Sequence, residues 1–257
     1  MISDTLEIQT RSTTRVEVMG VKIDNLSMEE TLSLIEEKIL EALPTQHVVV
    51  NAAKVVEANK NPELKAIIES CEIVNADGQA VVWASKILGK PLKERVAGID
   101  LMQALVQRAS QKGWSIYFFG ARQEVLDKVI EHYRKEFPTL RIAGARNGYY
   151  TPEEESTIAA DISKSKAHIL FVAMSSPKKE MFLNKYRSVM NVPFVMGVGG
   201  SFDVVAGVTK RAPLWMQKIG LEWLFRFLQE PRRMWRRYII GNAEFIALLL
   251  KYKFKRR

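Results

Sequence analysis

Short apolar segments alternate with amphipathic segments along most of the chain, and this alternation limits the fold more than any other feature. Strand-like patterns occupy residues 16–23, 47–50, 73–74, 114–119, 141–143, 168–172 and 193–197. Helical patterns lie between them at 27–43, 53–59, 62–70, 79–88, 123–137, 152–163 and 177–189, the first opened by a capping box of Ser27 and Glu30. Brief apolar strands joined by helices are typical of a sheet covered on both faces. The pattern therefore predicts an α/β fold with a mostly parallel, Rossmann-like sheet.

The character of the chain changes near residue 207. Residues 207–257 contain 13 Lys/Arg and 3 Asp/Glu, a net charge of +10, which leaves about −1 of the whole-chain +9 for residues 1–206. Strand patterns stop at this point, and helical patterns follow at 213–229 and 231–254. We therefore expect an α/β domain over 1–206 and a basic helical appendage over 207–257.

Polar and glycine residues follow three of the predicted strands. Asn51 comes directly after 47–50, Asp77 closely follows 73–74, and a glycine-rich segment at 197–203 follows the last strand. Because ligands of open parallel sheets bind at the carboxyl ends of the strands, these residues are candidates for one site. Ordinary turns have a similar composition, but three such ends together favour a ligand site.

Asp77 is the candidate for acid–base chemistry, since a carboxylate on a strand-to-helix turn can take a proton from an attacking hydroxyl. The same position fits a second role equally well, as the N-cap of the helix at 79–88. The local sequence leaves both roles open, and one residue could combine them.

The glycine-rich turn contains Gly197, Gly199 and Gly200, which would let backbone N–H groups approach a diphosphate. Its spacing is not the dinucleotide fingerprint, Gly120 belongs only to a partial match, and no Lys-Ser/Thr pair follows either turn. These differences argue against a nicotinamide-dependent oxidoreductase and an ATP-type phosphate loop. A nucleotide sugar, which needs a diphosphate cradle and a base pocket, fits the loops better.

The sequence predicts neither a metal site nor a cofactor. The three histidines are far apart, Cys71 is the single cysteine, and no Asp-x-Asp pair is present. The charge of a departing diphosphate would then be balanced by cations, for which the candidates are Arg95, Lys178, Lys179, Arg211 and the arginines of the tail.

Several segments together resemble one enzyme family, the WecG/TagA/CpsF glycosyltransferases of bacterial cell-surface polymer synthesis. The likeness extends from about residue 16 to 238, and its motifs are highly specific when taken together. They are Asn75-Ala76-Asp77-Gly78, Leu88-Gly89-Lys90-Pro91-Leu92, Glu94-Arg95-Val96-Ala97-Gly98-Ile99-Asp100-Leu101, Asn147-Gly148-Tyr149-Tyr150-Thr151, Gly197-Val198-Gly199-Gly200-Ser201-Phe202-Asp203, Lys210-Arg211-Ala212-Pro213, Gly220-Leu221-Glu222-Trp223 and Glu230-Pro231-Arg232-Arg233.

The resemblance implies an inverting transferase that moves an N-acetylhexosamine, typically N-acetylmannosamine, from UDP onto GlcNAc carried by undecaprenyl diphosphate, in teichoic acid-like polymer synthesis. It also implies that Asp77 is the catalytic base and that Asn51 lines the same pocket. Asp203 would hold the nucleoside. The substrate-binding residues expected on these grounds are Arg95, Asp100, Gly120, Lys179, Gly197, Gly199, Gly200, Asp203, Arg211, Arg232, Arg233, Arg236 and Arg237.

Two positions depart from the family pattern. Val49 stands where members often have Thr, and Lys179 stands where they commonly have Gln. A lysine there could pair with a diphosphate or with an acidic sugar. Transfer of another UDP-sugar, a uronic acid or a hexose, in exopolysaccharide or common-antigen synthesis is therefore the alternative.

The tail combines cations with aromatic residues. Arg232, Arg233, Arg236 and Arg237 would form one basic face of a helix, and Trp215, Trp223, Trp235 and Tyr238 suit a membrane interface. No secretion signal is visible, and the longest apolar run, 245–250, is too short to span a bilayer. We expect a cytoplasmic protein held peripherally at the inner face of the cell membrane by anionic lipid.

Two alternatives concern the tail. A basic nucleic-acid-binding protein is the competing class, but the charge is confined to one end and the tail is too apolar for a helix that reads a groove. The tail could also be an ordinary helical cap or an interface between copies of the chain, so a homo-oligomer stays open.

Overall fold

The structure is a computed structural model that describes residues 14–255. The strands of this part are β1 (Arg15–Val18), β2 (Val21–Asp24), β3 (Thr45–Val50), β4 (Ile73–Ala76), β5 (Ser115–Gly120), β6 (Arg141–Arg146), β7 (Ile169–Ala173) and β8 (Phe194–Gly197). The α-helices are α1 (Met28–Leu40), α2 (Ala52–Lys60), α3 (Pro62–Ser70), α4 (Gln79–Ile87), α5 (Gly98–Lys112), α6 (Gln123–Glu136), α7 (Glu155–Lys164), α8 (Lys178–Met190), α9 (Ser201–Val205), α10 (Leu214–Lys218), α11 (Glu222–Gln229), α12 (Pro231–Trp235) and α13 (Gly241–Lys255). A 3₁₀ turn covers Pro152–Glu154, and a π-helical turn covers Arg236–Ile240.

The strands β3 to β8 form one sheet in the order β4-β3-β8-β7-β5-β6, and every neighbouring pair is parallel. Alternate residues of β7 enter different cores, since successive side chains of a strand point to opposite faces. Ile169 and Phe171 join the cluster that contains residues of α1, α5 and α6, whereas Leu170 and Val172 join the cluster with α7 and α8. Helices therefore cover both faces, which confirms the predicted α/β fold with a parallel sheet.

The prediction of one strand over 16–23 is wrong. This segment is an antiparallel hairpin in which Arg15 pairs with Asp24 and Val18 with Val21, and it forms a separate two-stranded sheet. Met19 and Gly20 have positive φ values of 49° and 77°, the conformation that closes a two-residue hairpin turn. The chain consequently reverses in the middle of a segment whose strand pattern is continuous in the sequence.

Helix starts divide into those visible in the sequence and those that depend on tertiary contacts. The predicted capping box of α1 is present, with Ser27 Oγ accepting from Glu30 N and Glu30 accepting from Ser27 N. No helix was predicted over Gly98–Lys112, although α5 is among the longest of the described helices. Its first residue is capped by Asp77, which is 21 residues earlier in the chain, so no local start signal exists.

The helices predicted at 213–229 and 231–254 are both interrupted. Gly220, with a φ of +73°, separates α10 from α11, and the π-helical turn separates α12 from α13. The last helix then packs back on the α/β body. Phe245 is buried in the core that contains α2 and α4, and Lys60 pairs with Glu244 at 2.5 Å. The last of the C-terminal helices therefore shares a hydrophobic core with the sheet domain.

Gly120 ends β5 with a φ of +118°, and a Cβ at this position would collide with the carbonyl of Ala173 on the neighbouring strand. We expect Gly120→Ala to lower the free energy of unfolding by about 3 kcal/mol or more, because strain and overpacking act together. Gly89 also has positive φ but has no atom within 4 Å of the added carbon. Gly89→Ala should cost only about 1 kcal/mol, and equal losses in urea unfolding would contradict the packing argument.

Candidate active site

A cleft of about 1300 Å³ opens at the carboxyl edge of the parallel sheet. It is lined by the residues that follow β3, β4, β5, β7 and β8, together with parts of α4 and of the C-terminal helices. Asn51, Asp77 and the glycine-rich turn all line it, so the structure brings together the three strand ends that the sequence singled out.

The carboxylate of Asp77 is held between two elements. Its backbone N–H donates to Val50 O at 3.0 Å, which ties it to β3, and its Oδ1 accepts from Gly98 N at 2.8 Å, at the start of α5. The N-cap of α4 is instead Gly78, which has no side-chain cap. Of the two roles left open for Asp77, the cap of the following helix is therefore wrong, because its side chain caps a helix distant in sequence.

Asn51 is fixed beside Asp77 by its own helix. Its Oδ1 accepts from Lys54 N at 3.1 Å and caps α2. A Cβ on Gly78 would lie 3.4 Å from the Asn51 Cβ, so the turns after β3 and β4 touch. Val49, at the end of β3, lines the same part of the cleft and lies against Gly98. The surroundings of Asp77 thus combine one amide with an apolar side chain.

A buried polar chain lies beneath this corner. Asn75 Nδ2 donates to Thr31 Oγ1 at 3.1 Å, and Asn75 Oδ1 is 2.9 Å from His47 Nε2. Burial lowers the pKa of His47 to about 4, so the ring is neutral near pH 7 and its Nε2–H donates to Asn75. These bonds join α1, β3 and β4 directly below the strand ends that carry Asn51 and Asp77.

The glycine-rich turn is shaped by two long cations that lie across it. A Cβ on Gly197 would be 2.8 Å from the Lys179 side chain, and one on Gly200 would be 2.5 Å from a guanidinium nitrogen of Arg226. Gly199 has a φ of +53°. The absence of side chains at Gly197 and Gly200 therefore lets Lys179 and Arg226 approach the backbone at the cleft floor.

Lys179 belongs to a buried ionic cluster with Lys54 and Glu180. Both lysine Nζ atoms contact Glu180 Oε1, at 2.6 Å for Lys54 and 2.9 Å for Lys179, and all three residues are more than nine-tenths buried. Burial disfavours the charge of Glu180, but the two ammonium groups more than offset it and lower its pKa to about 2. One carboxylate thus serves two cations that line the cleft.

Arg95 and Arg211 line the cleft but are engaged in ion pairs. Arg95 contacts Glu222 at 3.0 Å, and Arg211 forms a bidentate pair with Asp100 at 2.5 and 2.8 Å. The Arg211 Nε is also 3.6 Å from Glu222. These bonds connect α5 and the segment before it to α11, and so hold the C-terminal helices over the sheet edge.

The remaining predicted residues are distributed as follows. Asp203, on α9, lines the cleft. Gly120 and Asp100 are not part of the lining, but Gly120 packs against Gly148 and Asp100 pairs with Arg211, and both of these partners line the cleft. Arg232 and Arg236 are exposed and lie outside the lining, while the side chains of Arg233 and Arg237 are outside the described part of the structure.

Two charged residues of the site were missed in the sequence, and a third, Arg226, was included only among the arginines of the tail. Lys54 and Glu180 lie on helices whose charges read as ordinary surface positions, and only their burial reveals the cluster. Arg226 interrupts the apolar run Trp223-Leu224-Phe225-Arg226-Phe227-Leu228, which was the available signal. Its Nε is buried with no hydrogen-bond partner among residues 14–255.

The lining of the cleft is positively charged as a whole, with eight Lys/Arg and five Asp/Glu. Such a lining attracts anionic ligands. Within residues 14–255, no group of three or more His, Cys, Asp or Glu side chains is arranged to hold a metal ion. In the same range, no helix has the length and hydropathy needed to span a membrane.

Sequence comparison agrees with this architecture. The chain belongs to the WecG/TagA/CpsF family of glycosyl transferases, whose family model matches residues 16–257. A curated relative from Bacillus spizizenii (strain ATCC 23059 / NRRL B-14472 / W23) is an N-acetylglucosaminyldiphosphoundecaprenol N-acetyl-beta-D-mannosaminyltransferase. It is 38% identical over 197 residues, which cover 77% of this chain and 75% of the relative. The family resemblance predicted from the motifs is confirmed.

The ionic cluster gives a stability prediction. Glu180→Gln should lower the free energy of unfolding at pH 7 by about 3 kcal/mol, because two buried ammonium groups lose their shared carboxylate. The charged form of Glu180 stabilises the fold above its ordinary pKa of 4.5, and this contribution is lost as the pH falls toward the folded value of about 2.

Urea unfolding at several pH values tests this prediction. The difference between wild type and Glu180→Gln should narrow from pH 5 to pH 2, and a constant difference would contradict it. The matched control is Glu155→Gln, since Glu155 pairs with the exposed Lys185 on the same helix α8. That substitution should cost about 0.5 kcal/mol or less.

Proposed function

We propose that this chain transfers N-acetylmannosamine from UDP to GlcNAc carried by undecaprenyl diphosphate, in the synthesis of a teichoic acid-like cell-surface polymer. The observation that carries the proposal is the Asp77 carboxylate, fixed by Gly98 N–H in a cation-lined cleft. The named activity of the curated relative supports the choice of donor sugar and acceptor.

The reaction is a single displacement that inverts the anomeric carbon. Asp77 Oδ1 is engaged by Gly98, so we assign the proton transfer to Oδ2. The acceptor hydroxyl loses its proton to this oxygen while its own oxygen forms a bond to the anomeric carbon. The bond from that carbon to the β-phosphate oxygen breaks on the opposite face, and its electron pair leaves with UDP. Asn51, which touches the Asp77 turn, orients the sugar.

The departing diphosphate is stabilised by the glycine-rich turn and by the cations over it. Lys179 and Arg226 lie against Gly197 and Gly200, where they can pair with phosphate oxygens. Arg95 and Arg211 line the same cleft, where Arg95 pairs with Glu222 and Arg211 with Asp100. Each arginine would either leave its carboxylate to bind a substrate oxygen or bind the substrate while the carboxylate holds it in place. Asp203 is assigned to the nucleoside end.

The tail is assigned to the membrane. Exposed apolar residues of α10 to α13 include Leu214, Trp215, Leu228, Trp235, Ile239 and Phe254. Arg232 and Arg236 are exposed beside them, with Arg236 stacked near the Trp235 ring at 5.3 Å. A surface of cations and aromatic residues suits an anionic lipid leaflet. We therefore assign residues 207–257 to peripheral binding at the inner face of the cell membrane.

The catalytic assignment is tested with Asp77→Asn. The amide oxygen can still accept from Gly98, so the fold should persist, while kcat should fall at least about 100-fold without the base. Turnover is measured with a panel of UDP-sugars and GlcNAc-diphosphate-polyprenol, with products identified by mass. Near wild-type turnover of Asp77→Asn would reject the base. Absence of transfer from every donor by the wild type would reject the proposed function. Preference for a uronic acid donor would instead assign Lys179 to the acidic sugar.

Membrane binding is tested by flotation with vesicles that contain anionic lipid. Replacing both Arg232 and Arg236 by Gln should weaken binding about 30-fold, since each cation contributes ~1 kcal/mol near such a surface. Binding should also fall with salt. Lys164 and Lys185, exposed on α7 and α8, provide a charge-matched control pair. An equal loss in both double variants, or tighter binding to duplex DNA than to vesicles, would contradict the assignment.

A further inference from the structure

Helix α4 is apolar on two sides. Val81, Val82 and Ala84 are buried in the core, as expected for a helix on a sheet. Trp83 and Ile87 point elsewhere and are 47% and 49% exposed. The side of α4 that faces away from the core therefore exposes two large apolar side chains.

This outer side lies in the active-site cleft. Ala80, Trp83 and Ile87 follow the i, i+3, i+7 spacing of a single helical stripe, and all three line the cleft that contains Asp77. The stripe begins one residue beyond Gln79, the first residue of α4. Gly220 lets the turn between α10 and α11 approach it, since a Cβ there would be 2.9 Å from the Trp83 ring.

A second apolar stripe belongs to α13. Phe245, Ile246 and Leu249 lie on one face of this helix and line the same cleft, with the polar Asn242 one turn before them. Ile246 is 57% exposed, whereas Phe245 is buried. Ala80 and Leu249 both pack against the hydrophobic cluster that contains Val55 and Val81. Together the two stripes form an apolar limb of the cleft, which we call the α4–α13 groove.

We infer that the α4–α13 groove binds the first isoprene units of the polyprenyl diphosphate acceptor. This inference rests on the proposed function, which places the acceptor hydroxyl at Asp77. The sugar and the diphosphate separate that hydroxyl from the lipid chain, so the chain should lie at a distance from Asp77. Trp83 and Ile87 lie about 6 and 12 Å along α4 from Gln79. Their position and apolar character suit a narrow isoprenoid chain that enters from the membrane side.

The groove is continuous with the cation-lined part of the cleft. Arg95 lines the cleft together with Asp77 and pairs with Glu222 of α11, and residues of α11 and α13 line the cleft as well. An isoprenoid carrier matches both parts, because its diphosphate is anionic and its chain is apolar. A second copy of the chain would cover the stripes but would also close the route to Asp77.

The test is a titration that needs no turnover. Binding of farnesyl diphosphate and of methyl diphosphate to the full-length protein is measured calorimetrically, together with the Trp83→Ala and Trp83→Phe variants. Wild type should bind farnesyl diphosphate at least ten-fold more tightly than methyl diphosphate. Trp83→Ala should reduce this ratio about ten-fold, as expected for truncating a central aromatic contact, and Trp83→Phe should keep most of it. Because Trp83 is half exposed, its replacement should not unfold the protein.

Leu40→Ala is the matched control, since Leu40 is exposed on α1 and lies outside the cleft. It should leave both affinities unchanged. Three outcomes would overturn the inference. The first two are an equal loss of affinity for both ligands in Trp83→Ala and the absence of a preference for farnesyl diphosphate in the wild type. The third is a sedimentation coefficient of Trp83→Ala that differs from wild type while the ratio of the two affinities is unchanged, since the stripe would then act in contacts between copies of the chain. A failure of sugar transfer with the chain-length preference intact would instead count against the proposed function alone.

Discussion

The six strands of the central sheet all run in one direction, and this constraint determines where a site can form. Every carboxyl end lies at the same edge, so residues distant in sequence, such as Asn51, Asp77 and Gly197, meet in one cleft. The helices that return the chain cover both faces of the sheet, and the cleft opens at this edge. The position of the chemistry therefore follows from the sheet before any catalytic side chain is considered.

Asp77 joins that edge to the rest of the fold. Its hydrogen bond to Gly98 starts α5, so the residue assigned to proton transfer is also a structural link between β4 and a long helix. The cations around it are built in the same way. Lys54 and Lys179 share Glu180, and Arg211 is held by Asp100, so each of these three cations lines the cleft beside a carboxylate that orients it.

The sequence predicted what depends on local patterns. A few consecutive residues are enough to recognise the apolar strands, the α1 capping box, the strand-end residues and each family motif. Two features were not predicted: the cap of α5 comes from Asp77, which is distant in sequence, and the turn at Met19 and Gly20 lies inside a segment with one continuous strand pattern. Burial separates Lys54 and Glu180 from ordinary surface charges, and burial is a property of the folded chain.

The docking of α13 has a consequence for how the chain can be shortened. Phe245 is part of the core with Val55 and Val81, and the Tyr252 hydroxyl lies against Gly20 in the hairpin and Asn59 on α2. Deletion of the last helix would remove charge and also uncover a hydrophobic surface. Truncation would thus destabilise the remaining fold and would not yield a more soluble form of the enzyme. The tail is therefore better altered by substitution of its surface residues.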